Sequence, residues 1–317
     1  MLYNILPEWL YSEISKNFPI EHLYEVRIRA NKPITVNFKG NYQTLKQQNG
    51  YGKNFIASYE LLEYIVAVIT KQSIYAYNEQ IKHCYVTTDD GLRVGICGVV
   101  VYENGKVITI KKVTSINIRI SHQVYNCSEK IINFICYNNI VKNTLVISPP
   151  GAGKTTMIRD IALKLSNEKG IKNLLIVDER FEIAGLKNSL DVGDFTDILS
   201  GGLKHYAFSE TLKTMSPKVI ITDEISNEDD IAQIKETIKS GVSVIATAHA
   251  KNIEDLKYKK YFESLMKDKY FERIVVLSSR QGVGTIEGVF DENLRCLYLP
   301  YMLWKLFLWF RSICFLH

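Results

Sequence analysis

Nine consecutive residues near the middle of the chain have the composition of a phosphate-binding loop: Ser148, Pro149, Pro150, Gly151, Ala152, Gly153, Lys154, Thr155 and Thr156. Such a loop needs glycines so that backbone N–H groups can reach phosphate oxygens. It also needs a lysine for the β- and γ-phosphates and a hydroxyl for Mg²⁺. Gly151, Gly153 and Lys154 meet the first two needs, and the Thr155 hydroxyl meets the third. The loop therefore predicts a nucleoside triphosphate site, with ATP as the ligand and Mg²⁺ as the metal.

The loop departs from the usual pattern G-x-x-x-x-G-K-[ST] at one position. The first glycine would stand at 148, where this chain has Ser148. Serine can still turn there, and the two prolines stiffen the approach. The flanking sequence predicts a strand over 143–148 and a helix over 155–167, the context in which the helix N-terminus faces the phosphate.

A second acidic motif follows another apolar run. Asp223 and Glu224 come directly after Val219-Ile-Ile-Thr. We expect Asp223 to serve the metal and Glu224 to act as the general base that activates water. The alternative is an ordinary strand end with two solvated acids, which the upstream phosphate loop disfavours.

A third motif nearly repeats the second, with Asp178, Glu179 and Glu182 after an apolar strand. Either Glu179 joins the water-activating site, which we favour, or the segment is a structural rim. His249 follows the predicted strand over 242–247, at the ligand-binding end of a parallel sheet. It is a candidate sensor of the γ-phosphate or a hydrogen-bonded structural residue. The candidate catalytic residues are thus Glu224, Glu179 and His249.

The pattern of apolar strands and polar helices predicts an α/β domain over 128–299. Strands are expected over 143–148, 173–178, 218–223, 242–247 and 273–277. Helices are expected over 129–137, 155–167, near 194–199 and over 229–239, with a closing hairpin over 285–299. Apolar strands separated by helices indicate a mostly parallel sheet covered on both faces.

The preceding segment, residues 1–127, is predicted to be a smaller α+β domain. It has alternating strands over 25–30, 34–38, 94–102, 106–110 and 116–120, and a helix over 61–70. Residues 300–317 form a third segment, a nearly all-apolar tail. It is shorter than a membrane span and carries Lys305 and Arg311. Three interpretations stay open: a helix docked on the sheet, an interfacial membrane or partner helix, and an extra unstructured tail.

The composition is that of a globular protein with a modest positive charge. Of 317 residues, 46% are hydrophobic, and 39 basic against 34 acidic residues give a net charge of +5. No basic run of the kind that dedicated nucleic-acid binders carry is present. The six cysteines lack Cys-x-x-Cys spacing and are expected to be reduced thiols in a cytoplasmic chain. Residues 1–7 do not have the pattern of a secretory signal.

Several blocks of sequence together resemble the stage III sporulation AA proteins of endospore-forming Firmicutes. They are Glu25–Arg29, Asp90–Gly98 and Ser115–Ile120 in the first domain, and Ser148–Thr156, Arg159–Ile161, Val177–Arg180 and Met215–Glu224 in the second. The resemblance covers residues 23–299. Ser148 and the paired prolines fit that family.

The family is similar to the ATPases that drive type II and type IV secretion, and the resemblance carries several implications. It implies a RecA-like P-loop domain, an acidic box at Asp178, Glu179 and Glu182, and a histidine box at His249. It also implies a homo-hexamer in which the first domain closes over nucleotide at subunit boundaries. The hexamer would be docked on membrane proteins of a sporulation channel complex in the mother-cell cytoplasm. Where the family has an arginine before Met-Ser-Pro, this chain has Lys213, which keeps the charge but lacks the two-pronged hydrogen bonding of arginine.

Three functions compete at this point. The first is an ATPase motor or assembly factor for a membrane-bound channel. The second is a nucleic-acid-dependent ATPase, disfavoured because the first domain lacks a platform of aromatic and basic residues for single strands. The third is a nucleotide-gated scaffold, disfavoured because a scaffold has no need of a base such as Glu224.

Overall fold

The computed structural model describes residues 2–47, 52–88, 92–120, 122–185, 189–201 and 204–300. The chain divides into two compact units, Met1–His122 and Gln123–His317. Beyond Pro300, the apolar tail lies outside the described residues. Within these described ranges, no helix has the length and apolar character needed to cross a membrane.

The first unit is an antiparallel sheet with helices. Its elements are α1 Glu8–Asn17, β1 Leu23–Arg29, β2 Thr35–Phe38, β3 Asn41–Thr44, α2 Tyr59–Ile69, α3 Asn78–Lys82, β4 Tyr85–Thr87, β5 Arg93–Glu103 and β6 Lys106–Arg119. The strands pair in the order β3-β2-β1-β6-β5-β4, each pair antiparallel. This confirms the predicted α+β architecture.

The sequence of helix α2 explains where the helix begins and which of its side chains are buried. The Ser58 side chain accepts a hydrogen bond from the Leu61 N–H at 3.3 Å and so caps the first turn. Apolar residues at helical spacing, among them Leu62, Ile65 and Ile69, are buried in the core of the unit. The predicted helix over 61–70 is therefore confirmed, with its start two residues earlier.

The two strands expected over 106–110 and 116–120 are a single strand, β6. The pattern breaks between them because Lys112, at φ +50°, is an extra residue opposite Gly98. A Cβ at Gly98 would lie 2.8 Å from Ile110 Cγ2 and from the Lys112 carbonyl oxygen. The extra residue forms a β-bulge, which interrupts the alternating pattern of side chains without ending the strand.

The second unit contains the predicted alternation of strands and helices. Its elements are α4 Ile132–Ile135, β7 Cys136–Tyr137, β8 Ile140–Val141, β9 Thr144–Ser148, α5 Lys154–Asn167, β10 Leu174–Asp178, β11 Thr196–Ser200, α6 Lys204–Thr214, β12 Val219–Glu224, α7 Glu228–Lys239, β13 Ser243–His249, α8 Ile253–Lys257, α9 Lys260–Lys267, β14 Arg273–Ser278, β15 Thr285–Asp291 and β16 Cys296–Tyr298.

Eight of these strands form one mixed sheet in the order β11-β10-β12-β13-β9-β14-β15-β16. The six strands from β11 to β14 are parallel, and β15 and β16 add antiparallel. The fold is therefore α/β with a mostly parallel sheet, as predicted. The five expected parallel strands and the closing hairpin are confirmed.

The sheet is buried on both faces. On one face Val146 of β9 packs in a cluster with Ile158 and Ile161 of α5. On the other face Leu145 and Ile147 of the same strand join a cluster with residues of α7, α8 and α9. Covering helices on both faces explain why the strands are continuously apolar.

Two helix predictions in this unit are wrong. The segment near 194–199 is the edge strand β11, which pairs with β10 along five residues, Thr196–Ser200. The helix expected over 129–137 is limited to Ile132–Ile135, because the chain then enters a short hairpin. Its turn is Asn138-Asn139, both at positive φ, as hairpin turns of this kind require.

Candidate nucleotide-binding site

The carboxyl ends of the parallel strands bring the predicted site residues to one edge of the sheet. In the strand register His249 lies beside Ser148, and Glu224 lies beside Thr247. Asp178 ends the neighbouring strand β10. The outer ends of parallel strands are where ligands bind in sheets of this kind.

The phosphate-loop residues connect β9 to α5 in a shape that depends on two glycines. Gly151 has φ +73° and Gly153 has φ +90°, which other residues rarely adopt. A Cβ at Gly153 would lie 3.1 Å from Val283 and 3.2 Å from the Gly284 nitrogen, whereas one at Gly151 would meet nothing within 4 Å. The loop is therefore packed on one side and open on the other.

The remaining residues of the phosphate loop are held by local hydrogen bonds and packing. The Ser148 hydroxyl donates to the Pro149 carbonyl at 2.7 Å, and Pro150 is exposed. Ala152 is buried and its carbonyl accepts from the Gly284 N–H at 3.1 Å. Gly153 is the N-cap of α5, so the free N–H groups of the first helical turn face the loop.

Lys154 is a buried lysine with no carboxylate in direct contact among the described residues. Its Nζ lies 2.8 Å from His249 Nδ1, 3.4 Å from Ser148 Oγ and 3.5 Å from the Ser148 carbonyl oxygen. Burial lowers the pKa of Lys154 to about 8, and the charge of Glu224 only partly opposes this. A buried ammonium without an ionic partner is costly unless an anion meets it.

His249 connects that lysine to the general-base candidate. Because an ammonium can only donate, His249 Nδ1 accepts from Lys154, which leaves the Nε2 hydrogen for Glu224 Oε2 at 3.1 Å. The Lys259 side chain donates to the His249 carbonyl oxygen. Lys154 of α5, His249 of β13 and Glu224 of β12 thus form one chain of contacts.

Asp223 is nearly buried and faces a lysine that the sequence did not point out. Lys204 Nζ lies 2.8 Å from Asp223 Oδ1, an ion pair without hydrogen-bond alignment, and 3.8 Å from Glu179 Oε2. Burial raises the pKa of Asp223 to about 6. Lys204 opposes this effect, and the charges of Asp178 and Glu179 add to it.

Asp178 has a structural role. Its two carboxylate oxygens accept hydrogen bonds from the backbone N–H groups of Glu182, Ile183 and Ala184 at 2.8–2.9 Å. Arg159, buried on α5, donates to the carbonyls of Ile183 and Glu182 at 2.6 and 2.7 Å. Asp178 and Arg159 therefore both hold the backbone of residues 182–184, and the half-exposed Glu179 is the candidate for chemistry in the third acidic motif.

The arrangement fits a magnesium–nucleotide complex. The open side of Gly151, the N-terminus of α5 and the buried Lys154 ammonium together form an anion cradle. Thr155 lies half-buried in the first turn of α5. With Asp223 it offers hard oxygen atoms, which Mg²⁺ prefers. Thr156 lies one residue further along the same turn.

Sequence reasoning missed the three residues that hold this site together: Lys204, Arg159 and Lys259. For Lys204 the sequence offers a signal, a basic residue two positions after the glycine pair at 201–202. Helix α6 is not among the predicted helices, so the sequence did not indicate that Lys204 lies near the site.

Comparison with known proteins places both units in one family. A model of the family described as "Sporulation stage III, protein AA" matches residues 3–297. A stage III sporulation protein AA of Bacillus subtilis (strain 168) is 35% identical over 300 residues, 91% of this chain and 94% of the relative.

Two solved structures share the fold. The ATPase DotB of Legionella pneumophila superimposes with a TM-score of 0.57 at 12% identity, over 86% of this chain and 77% of DotB. The pilus retraction motor PilT, solved with bound ADP, gives a TM-score of 0.53 at 13% identity, over 83% of this chain and 76% of PilT. At such low identity the likeness concerns the fold.

Proposed function

The chain belongs to the stage III sporulation protein AA family, and from that membership we propose that it is a P-loop ATPase that energises a membrane-bound channel during endospore formation. The observation that carries the proposal is Lys154, a buried ammonium at the start of a helix whose described contacts include no carboxylate. A phosphate would supply the missing negative charge. The fold shared with the ATPase DotB and the motor PilT supports the same activity.

Each residue of the site has a defined task in this proposal. Lys154 and the backbone N–H groups of the loop hold the β- and γ-phosphates of ATP. Thr155 and Asp223 would hold Mg²⁺, and the ion would supply positive charge beside the phosphates. The remaining chemistry is the activation of water.

We assign that activation to Glu224. Its carboxylate contacts His249, which contacts Lys154, so the base, the histidine and the phosphate-binding lysine are linked. His249 orients the Glu224 carboxylate and is well placed to respond when the lysine engages a phosphate. Glu179 Oε2 lies 3.8 Å from Lys204 Nζ, and we assign Glu179 a supporting role in the water-activating site.

The family membership supports a further proposal about assembly and location. We propose that the protein works as a homo-hexamer in the mother-cell cytoplasm, peripherally attached to membrane proteins of the sporulation channel. DotB and PilT, which share the fold, are named an ATPase and a pilus retraction motor. Nucleic acid is not an expected partner.

The test is nucleotide binding by Lys154→Ala. Binding of a fluorescent ATP analogue and phosphate release should both be lost while the melting curve keeps its shape, because the substitution removes a charge that pairs with phosphate. Lys169→Ala, just beyond the far end of α5, is the matched control and should behave as the wild type. Unchanged turnover in a folded Lys154→Ala protein would refute the proposal. Turnover that needs single-stranded DNA would favour a nucleic-acid-dependent ATPase, and binding without turnover would favour a scaffold.

A further inference from the structure

Lys204 is the first residue of α6 and its ammonium is buried among acidic groups. The side chain is 8% exposed and lies 2.8 Å from Asp223 Oδ1 and 3.8 Å from Glu179 Oε2. Its Nζ also donates to the carbonyl oxygen of Glu224. One side chain therefore contacts the ends of both acidic strands, β10 and β12.

This is an unfavourable place for a lysine on structural grounds alone. Burial of an ammonium is costly, and the N-terminus of a helix carries partial positive charge that repels a cation. Replacing a buried ion pair with apolar residues often leaves stability unchanged. Stability alone is thus a weak reason for a lysine here.

The backbone just after β11 is packed against the third acidic motif at Gly201. Gly201 has φ +75°, and a Cβ there would lie 2.8 Å from Cζ of Phe181. The Gly201 N–H donates to the Asp178 carbonyl at 3.1 Å. The chain leaving β11 is therefore held against the third acidic motif.

We propose that Lys204 is a positioning residue that holds Asp223 and the Glu224 backbone in the geometry needed for metal binding and water activation. The inference rests on the proposed function, because it assigns Asp223 to the metal and Glu224 to the base. Lys204 is assigned no contact with the nucleotide; it orients Asp223, assigned to the metal, and Glu224, assigned to the attacking water.

The experiment compares Lys204→Met with Lys164→Met in the full-length protein. Lys164 is an equally buried lysine on α5, 2% exposed and paired with Glu129 and Glu168. Both substitutions remove a buried charge, but only Lys204 contacts the acidic strand ends. Three quantities are measured: binding of a fluorescent ATP analogue in EDTA, the affinity for Mn²⁺ by electron paramagnetic resonance with a non-hydrolysable ATP analogue, and turnover.

We expect Lys204→Met to bind nucleotide in EDTA like the wild type. Its Mn²⁺ dissociation constant should rise about tenfold and turnover should fall about 10²-fold, as when groups that orient metal ligands are removed. Lys164→Met should change neither by more than about twofold. Lys204→Arg, which keeps the charge, should bind Mn²⁺ more tightly than Lys204→Met. If the methionine variant does not fold, Lys204→Gln replaces it with the same expected result.

Two outcomes would overturn the inference. Mn²⁺ affinity and turnover that match those of Lys164→Met would make Lys204 an ordinary buried ion pair. Loss of nucleotide binding in EDTA would make it a nucleotide contact. Failure of the wild type to bind nucleotide would instead refute the proposed function, so the two failures are distinguishable.

Discussion

Acidic residues at the edge of the main sheet differ in role because their surroundings differ. The Asp178 carboxylate accepts hydrogen bonds from three backbone N–H groups. Asp223 forms an ion pair with Lys204, and Glu224 contacts His249. From the sequence, Asp178-Glu179 and Asp223-Glu224 look like copies of one motif. The contacts that separate them come from distant segments, so the roles could not be read from the motifs alone.

Glu224→Gln should bind ATP and Mg²⁺ but lose most of its turnover. Removal of a positioned general base costs about 10²–10⁴ in rate. Glu179→Gln, whose side chain is half-exposed and 3.8 Å from Lys204, should lose much less. Phosphate release at saturating ATP, with nucleotide binding measured in parallel, checks both. A greater loss in Glu179→Gln would move the base to the third acidic motif.

The buried charge of Lys154 predicts a pH dependence of stability. Its pKa is lowered from 10.5 to about 8 by burial. Below pH 8 the lysine is charged in both states and the folded state bears the full burial penalty. Between pH 8 and 10.5 the folded state releases the proton while the unfolded state keeps it, so stability rises with pH. Lys154→Met lacks this contribution.

The melting temperature of the wild type relative to Lys154→Met should therefore increase between pH 7.5 and 9.5. Melting of both proteins without nucleotide, across that range, measures it. Lys169→Met should track the wild type, because its lysine lies at an exposed hydrogen bond. A difference that stays constant or moves the other way would contradict the assigned pKa.

At the scale of elements, the sequence predicted the parallel strands well because each is buried on both faces. Apolar runs bounded by polar turns leave little ambiguity there. The edge strand β11 was mistaken for a helix, since Thr196–Ser200 becomes a strand by pairing with β10 rather than by its own pattern. Helix α6 was missed, and with it Lys204. A strand that forms only because it pairs with a distant segment cannot be predicted from its own local sequence pattern.

Asp178→Asn should loosen the segment that follows β10. An amide keeps one acceptor oxygen but turns N–H donors toward backbone N–H groups, and we expect a loss of at least about 2 kcal/mol in the free energy of unfolding. Amide hydrogen exchange at Ile183 and Ala184 should accelerate. Asp197→Asn, at an exposed position on β11, should change stability by less than about 0.5 kcal/mol. Equal effects of the two substitutions would show that the Asp178 contacts do not anchor the segment.

At the scale of the whole molecule, the family match spans both units. It runs over residues 3–297, and the Bacillus subtilis relative is covered over 94% of its length. The antiparallel first unit is thus part of what the family shares rather than an addition to the second. The candidate phosphate and acidic residues all lie in the second unit.

A ring whose sites are completed across subunit boundaries predicts turnover that depends on protein concentration. Dilution separates subunits, so phosphate release per subunit should fall as the protein is diluted a hundredfold. Mixing wild type with Glu224→Gln at a fixed total concentration should lower turnover more than in proportion, because each inactive subunit disturbs its neighbours. Lys164→Met mixed in the same way should lower it no more than in proportion. Specific activity that stays flat on dilution, with a monomer by light scattering, would contradict the ring.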